Sequence, residues 1–285
     1  MIAEQYRKML DAKSVIRQLS EKATKRAQII GAENVFDYSL GNPSVPAPAE
    51  FKQALLDLIE KEDPMTLHGY SPTLGIPSVK TAIAESLNCR FDMNYGPEHI
   101  FPVSAAAAAI AHALRAVTVP GDEVLTFAPF FPEYHPYVDL TGAVLKVVPA
   151  DTKSFQINFE AFEEMLGPRV APNNPSGAVY SAETLTKLAQ VLTRKAEQYG
   201  HDIFLISDEP YREIVFDGKQ QPYVSKFYAN TISCYSFSKA LSLPGERIGY
   251  LAVNPACPYA AEIVNMCGQI SRGIGHNCPT SLMQL

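Results

Sequence analysis

The chain has no tryptophan, no CxxC pair among its five cysteines and no apolar run long enough to cross a bilayer. Each shortage excludes something. A spanning helix needs about 20 consecutive apolar residues, so no membrane partner is expected. Separated thiols in odd number (Cys89, Cys234, Cys257, Cys267, Cys278) form neither a disulfide framework nor a paired redox motif. That pattern points to reduced thiols and a cytoplasmic home. His276 and Cys278 lie in one loop, but two such residues are not a metal motif, and no metal is expected. Positive charge is also short. Lys plus Arg number 24 against 30 Asp plus Glu, a formal net charge of −6, which speaks against a general nucleic-acid surface. The basic residues are scattered except at Lys22, Lys25 and Arg26, which read as a solvated helix face. The amino terminus is charged and amphipathic, without the apolar core of a signal peptide.

What is present is the pattern of one large folded domain. Hydrophobic residues make up 47% and charged residues 19% of 285, which is globular rather than disordered. Helical periodicity predicts helices over Ala3–Ile29, Ala49–Glu60, Ile76–Asn88, Ala105–Val117 and Ala182–Gln198, the last opened by Ser181 as a cap. Apolar runs predict strands over Glu123–Phe127, Val144–Val148, Ile203–Ser207, Thr231–Ser236 and Ile248–Val253. This alternation, without internal repeats, predicts an α/β fold with a mostly parallel central sheet and helices on both faces. A proline-rich break after Asn42 divides residues 1–45, an arm and linker, from residues 46–285, the large domain.

Four segments carry chemistry. The first runs Ser236-Phe237-Ser238-Lys239-Ala240-Leu241 and on to Arg247. A lysine held at the end of a buried strand loses solvation, which lowers its pKa below the ordinary value of about 10.4. Its neutral amine is then able to form a Schiff base. Ser236, Ser238 and Arg247 add hydroxyl donors and a permanently charged fork, as a phosphate requires. In isolation the segment also reads as a surface lysine on a polar loop. An aldehyde-binding lysine beside a phosphate site points to pyridoxal phosphate (PLP).

The second segment, Ser207-Asp208-Glu209-Pro210-Tyr211, ends an apolar strand, where α/β proteins bind ligands. A carboxylate there can pair with a protonated pyridine nitrogen, and Tyr211 can reach a ring hydroxyl. Asp208 abuts the strand, whereas Glu209 reads equally well as a helix cap or a solvated turn residue. The third, Asn173-Asn174-Pro175-Ser176-Gly177, is a turn in which Asn174 offers an amide donor to a ring oxygen. The fourth is Val103-Ser104 followed by Ala105–Ala109. A helix start favours an anion, and small side chains let a phosphate approach the backbone. An alanine-rich core helix accounts for the same residues.

In this order and spacing the segments resemble the class I/II aminotransferases, aspartate-aminotransferase-like PLP enzymes of fold type I, along the whole chain. The resemblance implies that Lys239 carries the cofactor Schiff base and shuttles the proton, that Asp208 pairs with the pyridine nitrogen, and that Tyr211 and Asn174 bond the ring hydroxyl. It further implies that Ala106, Ala107, Ser236, Ser238 and Arg247 hold the phosphate and that Phe131 stacks on the ring. Tyr70 would reach the neighbouring site of a homodimer, and Gly41 and Asn174 would lie at the substrate. The implied activity is transamination between an L-amino acid and a 2-keto acid. A PLP-dependent C–S β-lyase or decarboxylase, or a catalytically inert fragment or binding relative, are the alternatives.

The sequence departs from that family in three places. Five alanines stand where the phosphate-binding helix normally opens with Gly or Ser. Gly167-Pro168-Arg169-Val170-Ala171-Pro172 runs into Asn173 without the apolar strand that normally precedes the turn. The chain ends at Leu285, with no match to the small carboxyl-terminal domain and its carboxylate-binding arginine.

Overall fold

The computed structural model describes residues 3–11, 15–39, 41–167, 172–173, 179–216, 218, 220–276 and 278–285. They fall into two compact units, Met1–Val45 and Pro46–Leu285. In the first unit α1 (Glu4–Asp11) and α2 (Val15–Ile30) stand where periodicity predicts one helix. Lys22, Lys25 and Arg26 are exposed on α2.

The second unit opens with α3 (Ala49–Lys61), α4 (Pro64–His68) and α5 (Pro77–Phe91). Next come β1 (Ile100–Val103), α6 (Ala105–Val117), β2 (Glu123–Phe127), α7 (Tyr134–Asp139), β3 (Val144–Val148) and α8 (Phe159–Met165). Then follow β4 (Pro172–Asn173), α9 (Ala182–Tyr199), β5 (Leu205–Asp208), β6 (Thr231–Ser236) and α10 (Phe237–Ala240). The last elements are β7 (Gly249–Val253), α11 (Ala260–Gly273) and α12 (Ser281–Gln284).

Local chemistry sets these boundaries. Ser181 caps α9 by accepting a 3.1 Å hydrogen bond from the Thr184 amide. Gly200 closes the same helix at φ 70°, a left-handed conformation that glycine takes without strain. Asp63 caps α4, whose first position is a proline with no amide to satisfy.

The strands form one ladder in the order β1-β7-β6-β5 and another in the order β3-β2-β4. Strand β7 runs antiparallel to both β1 and β6; the other pairings are parallel. Side chains on β6 and β7 alternate between two cores with the period of two that a strand imposes. Ile232, Cys234, Leu251 and Val253 pack with Ile110 and Leu114 of α6 and Ile263 and Val264 of α11. Tyr235, Tyr250 and Ala252 face the other way, onto Ala84 and Leu87 of α5. Helices therefore cover both faces of this sheet, which is the predicted α/β arrangement. A third core lies under α8 and α9, between Leu125 of β2 and Leu205 of β5.

The segment expected to lack a strand holds β4, described over two residues that pair with Leu125 and Thr126 of β2. Among the described residues no ladder joins β4 to β5.

Candidate active site

The carboxyl ends of β1, β5 and β6 lie at one edge of the sheet. Ser236 at the end of β6 is paired with Gly249, which is also paired with Val103 at the end of β1. Asp208 at the end of β5 is paired with Cys234. This is the edge at which parallel α/β sheets bind ligands, because the loops and helix starts there leave polar groups unsatisfied by the ladder.

Gly249 is required by the close packing. A Cβ there would stand 2.2 Å from the Tyr235 carbonyl oxygen and 3.0 Å from Cα of Ala105. The amino end of α6 is thereby pressed against the end of β6. Ala105 itself holds φ 68°, in the left-handed region. Ser104 makes no side-chain cap, so its own hydroxyl does not compete for the amides of the first turn of α6, which contains Ala106 and Ala107. Free amides at a helix start are anion donors.

Ser236 and Ser238 are both buried, their hydroxyls 2.6 Å apart, and the Ser238 amide donates to Ser236 Oγ at 3.1 Å. Arg247 is exposed at φ 53°, with Nη1 donating to the Pro244 carbonyl at 2.9 Å. Lys239 is half-buried on α10, immediately after β6. Burial, with a smaller contribution from the Arg247 charge, lowers its basicity. Its Nζ lies 5.8 Å from the centre of the Tyr211 ring. Burial and then Asp208 raise the pKa of Tyr211, so its hydroxyl stays protonated.

Asp208 accepts a 2.7 Å hydrogen bond from the hydroxyl of Tyr134 on α7. Burial pushes its carboxyl up to about 6, against the pull of that hydrogen bond and with a further push from Glu209. Phe131, three residues before Tyr134, packs edge-on to it with ring centres 5.7 Å apart.

The structure corrects the readings of Glu209 as a cap or a solvated turn residue. Glu209 is 4% exposed and ion-paired with Arg212, 6% exposed, at 2.8 Å. Tyr134, Glu209 and Arg212 are the residues that sequence reasoning missed. Their signal was weak: a tyrosine on a short helix, and a charged pair three apart that resembles any surface turn.

Asn174 lies outside the described residues. Gly41 is exposed in the first unit. Tyr70 is 98% exposed on the second.

These residues fit a phosphorylated pyridine. Helix-start amides, two hydroxyls and an arginine suit the dianion, a buried carboxylate suits a ring nitrogen, and an amine of lowered basicity suits an aldehyde.

The comparisons agree with this geometry. The family model for aminotransferase class I and II matches residues 33–284, and the chain belongs to that family. A probable N-acetyl-LL-diaminopimelate aminotransferase of Bacillus subtilis is 29% identical over 226 residues, covering 77% of this chain and 55% of that protein. A probable aspartate/prephenate aminotransferase of Aquifex aeolicus is 30% identical over 249 residues, covering 83% and 60%. The chain thus spans little more than half the length of these relatives. Among solved structures, an amino transferase from Eubacterium rectale superposes with a TM-score of 0.94 at 43% identity, over all of this chain and 73% of that one. The Thermus thermophilus aspartate aminotransferase shares the fold at a TM-score of 0.81 and 24% identity.

Proposed function

We propose that the chain carries the cofactor site of a PLP-dependent aminotransferase, which moves an amino group between an L-amino acid and a 2-keto acid. The observation that carries this reading is the half-buried amine of Lys239, lowered in basicity, beside Tyr211 and on the sheet edge that ends in Asp208. Bound PLP supplies an electron-withdrawing ring that acidifies the substrate α-carbon. Lys239 would hold the cofactor through Nζ, and the same nitrogen would serve as the base and acid that moves the substrate α-proton. Asp208 would pair with the ring nitrogen, with Tyr134 fixing the orientation of the carboxylate. Tyr211 and Asn174 would bond the ring hydroxyl, and Phe131 would cover the ring. The start of α6 at Ala106 and Ala107, with Ser236, Ser238 and Arg247, holds the phosphate.

The exposed ring of Tyr70 supports a homodimer in which it reaches the neighbouring site, and Gly41 and Asn174 contribute to the substrate side. Residues 46–285 act as the cofactor-binding domain and residues 1–45 as an arm. All five cysteines are free thiols, which supports a reducing, cytoplasmic setting.

Reductive trapping tests the proposal. Protein incubated with PLP and then borohydride should retain the cofactor covalently, and Lys239→Ala should retain none. Conversion of bound cofactor to its amine form by an amino acid, reversed by a keto acid, marks transamination. Release of ammonia and pyruvate without a keto acid marks a lyase. A wild type that traps no cofactor sinks the reading.

A further inference from the structure

The turn that carries Asp208 and Tyr211 rests on a buried ionic assembly that the transamination chemistry does not itself use. Arg212 Nη1 donates to Glu209 at 2.8 Å, Nη2 to the Tyr250 hydroxyl at 3.0 Å, and Nε to Glu213 at 3.2 Å. The other oxygen of Glu209 accepts from Ser233 of β6 at 3.1 Å. The guanidinium stacks over Tyr235 at 4.4 Å and over Phe91 at 5.0 Å. Glu213 also accepts from Tyr235 and from Arg90 of α5, each at 2.9 Å. One short turn is therefore bonded to β6, β7 and α5. The backbone closes the same frame: the Glu209 amide donates to Cys234 at 2.8 Å, and the Arg212 amide to Glu209 at 3.2 Å.

A buried ion pair is a poor way to gain stability, since apolar groups of equal shape often serve as well or better. Its place in this fold calls for another reason. Glu209 is the residue next to Asp208, and both are withdrawn from water. Two neighbouring buried carboxylates repel, and each drives the other toward its neutral acid. Arg212 offsets part of the charge of Glu209 at contact distance.

We propose that Arg212 and Glu209 form a positioning pair, which fixes the Asp208–Tyr211 turn and lets Asp208 meet the cofactor's ring nitrogen as a carboxylate. The pair rests on the PLP reading for its purpose, but its electrostatic effect belongs to the apoprotein. The titratable groups that act on Asp208 among the described residues include Glu209 and Tyr211 from its own segment, Tyr134 from α7 and Cys234 from β6. Glu209 is the one acid among them with an arginine bound to it.

The test follows the Asp208 carboxyl by carbon-13 NMR in apoprotein, assigned with Asp208→Asn, and measures PLP affinity in parallel. Arg212→Met should raise the upper titration step of the Asp208–Glu209 pair by about one pH unit, since two neighbouring buried carboxylates then stand without a counter-charge. It should also weaken PLP binding by about twofold at pH 7, because a midpoint moved from about 6 to about 7 leaves only half of Asp208 ionised there. Glu209→Gln, which keeps Tyr250 and Glu213 on Arg212, should lower the midpoint by a similar step and carries the test should Arg212→Met not fold. Arg212→Lys should hold the midpoint near that of the wild type. An unchanged midpoint in folded Glu209→Gln or Arg212→Met reduces the pair to packing and overturns the proposal. Wild type that binds no PLP while the midpoints still move removes the cofactor reading and leaves the pair standing.

Discussion

The hydroxyl of Tyr134 donates a 2.7 Å hydrogen bond to Oδ2 of Asp208, joining the first turn of α7 to the end of β5. Burial, reinforced by Asp208, keeps that hydroxyl protonated, so it is a permanent donor. Asp208 then has a fixed orientation and a partner that favours its charged form, opposing the larger effect of burial.

Tyr134→Phe removes the donor and leaves the ring in place. Hydrogen bonds to charged groups contribute about 1.5–3 kcal/mol. PLP affinity should therefore fall roughly ten- to a hundredfold, and the Asp208 midpoint should rise above about 6. Spectrophotometric titration of the variant checks the first and carboxyl NMR the second. Unchanged affinity would show that Tyr134 does not orient the acid.

Asp208 also sets a pH dependence of stability. Its carboxyl sits at about 6 in the fold against an ordinary 3.8, so the folded state holds a proton that the unfolded state releases earlier. Ionising it within the fold is unfavourable. Stability of the apoprotein should be fullest below about pH 4 in this respect and decline as pH rises through 6. Asp208→Asn escapes this penalty. Denaturant titrations should show the variant more stable than wild type at pH 8, by at most roughly 3 kcal/mol, with no advantage at pH 4. Equal stability at both pH values contradicts the inward, desolvated placement of this carboxylate.

The sequence made legible those parts of the fold that local physics decides. Periodicity placed α6, β2, β3 and β6 at their observed bounds, because an alanine-rich helix and β-branched runs need no tertiary information. The antiparallel direction of β7 was not legible, since direction depends on partners far along the chain. The site divided in the same way. Asp208 and Ser236 end their strands and Lys239 comes three residues after one, so their position at the sheet edge could be read from the apolar runs. Tyr134 and Arg212 act through contacts 74 and 38 residues away in sequence, to Asp208 and Tyr250, and no spacing rule announces them. Glu209 was misread because a turn with Asp, Glu and Pro looks solvated until β6, β7 and α5 close around it.

Ala105 offers a stability test. Its φ of 68° crowds Cβ against the carbonyl oxygen, at about 1–2 kcal/mol for an L-residue. Ala105→Gly relieves that strain but gives up a buried methyl worth about 0.8 kcal/mol. The net expectation is a gain of up to about 1 kcal/mol, or roughly 2 °C in melting temperature. Calorimetry decides it, and a variant less stable than wild type means that the packing of the buried methyl outweighs the backbone strain.

Arg247 should distinguish a phosphorylated cofactor from a bare one. It is exposed, steadied by Pro244, and close enough to Lys239 to depress its basicity. On the proposed reading, Arg247→Ala removes a charge-assisted donor to phosphate but none to the pyridine ring. PLP affinity should fall about ten- to a hundredfold, the range for hydrogen bonds to charged groups, while pyridoxal affinity stays within about twofold. The Lys239 amine should at the same time become more basic, because a neighbouring positive charge no longer disfavours its protonation. The pH at which the cofactor–lysine chromophore titrates should therefore move up. Equal losses for PLP and pyridoxal would place Arg247 away from the phosphate and leave Ser236, Ser238 and the start of α6 to bind it alone.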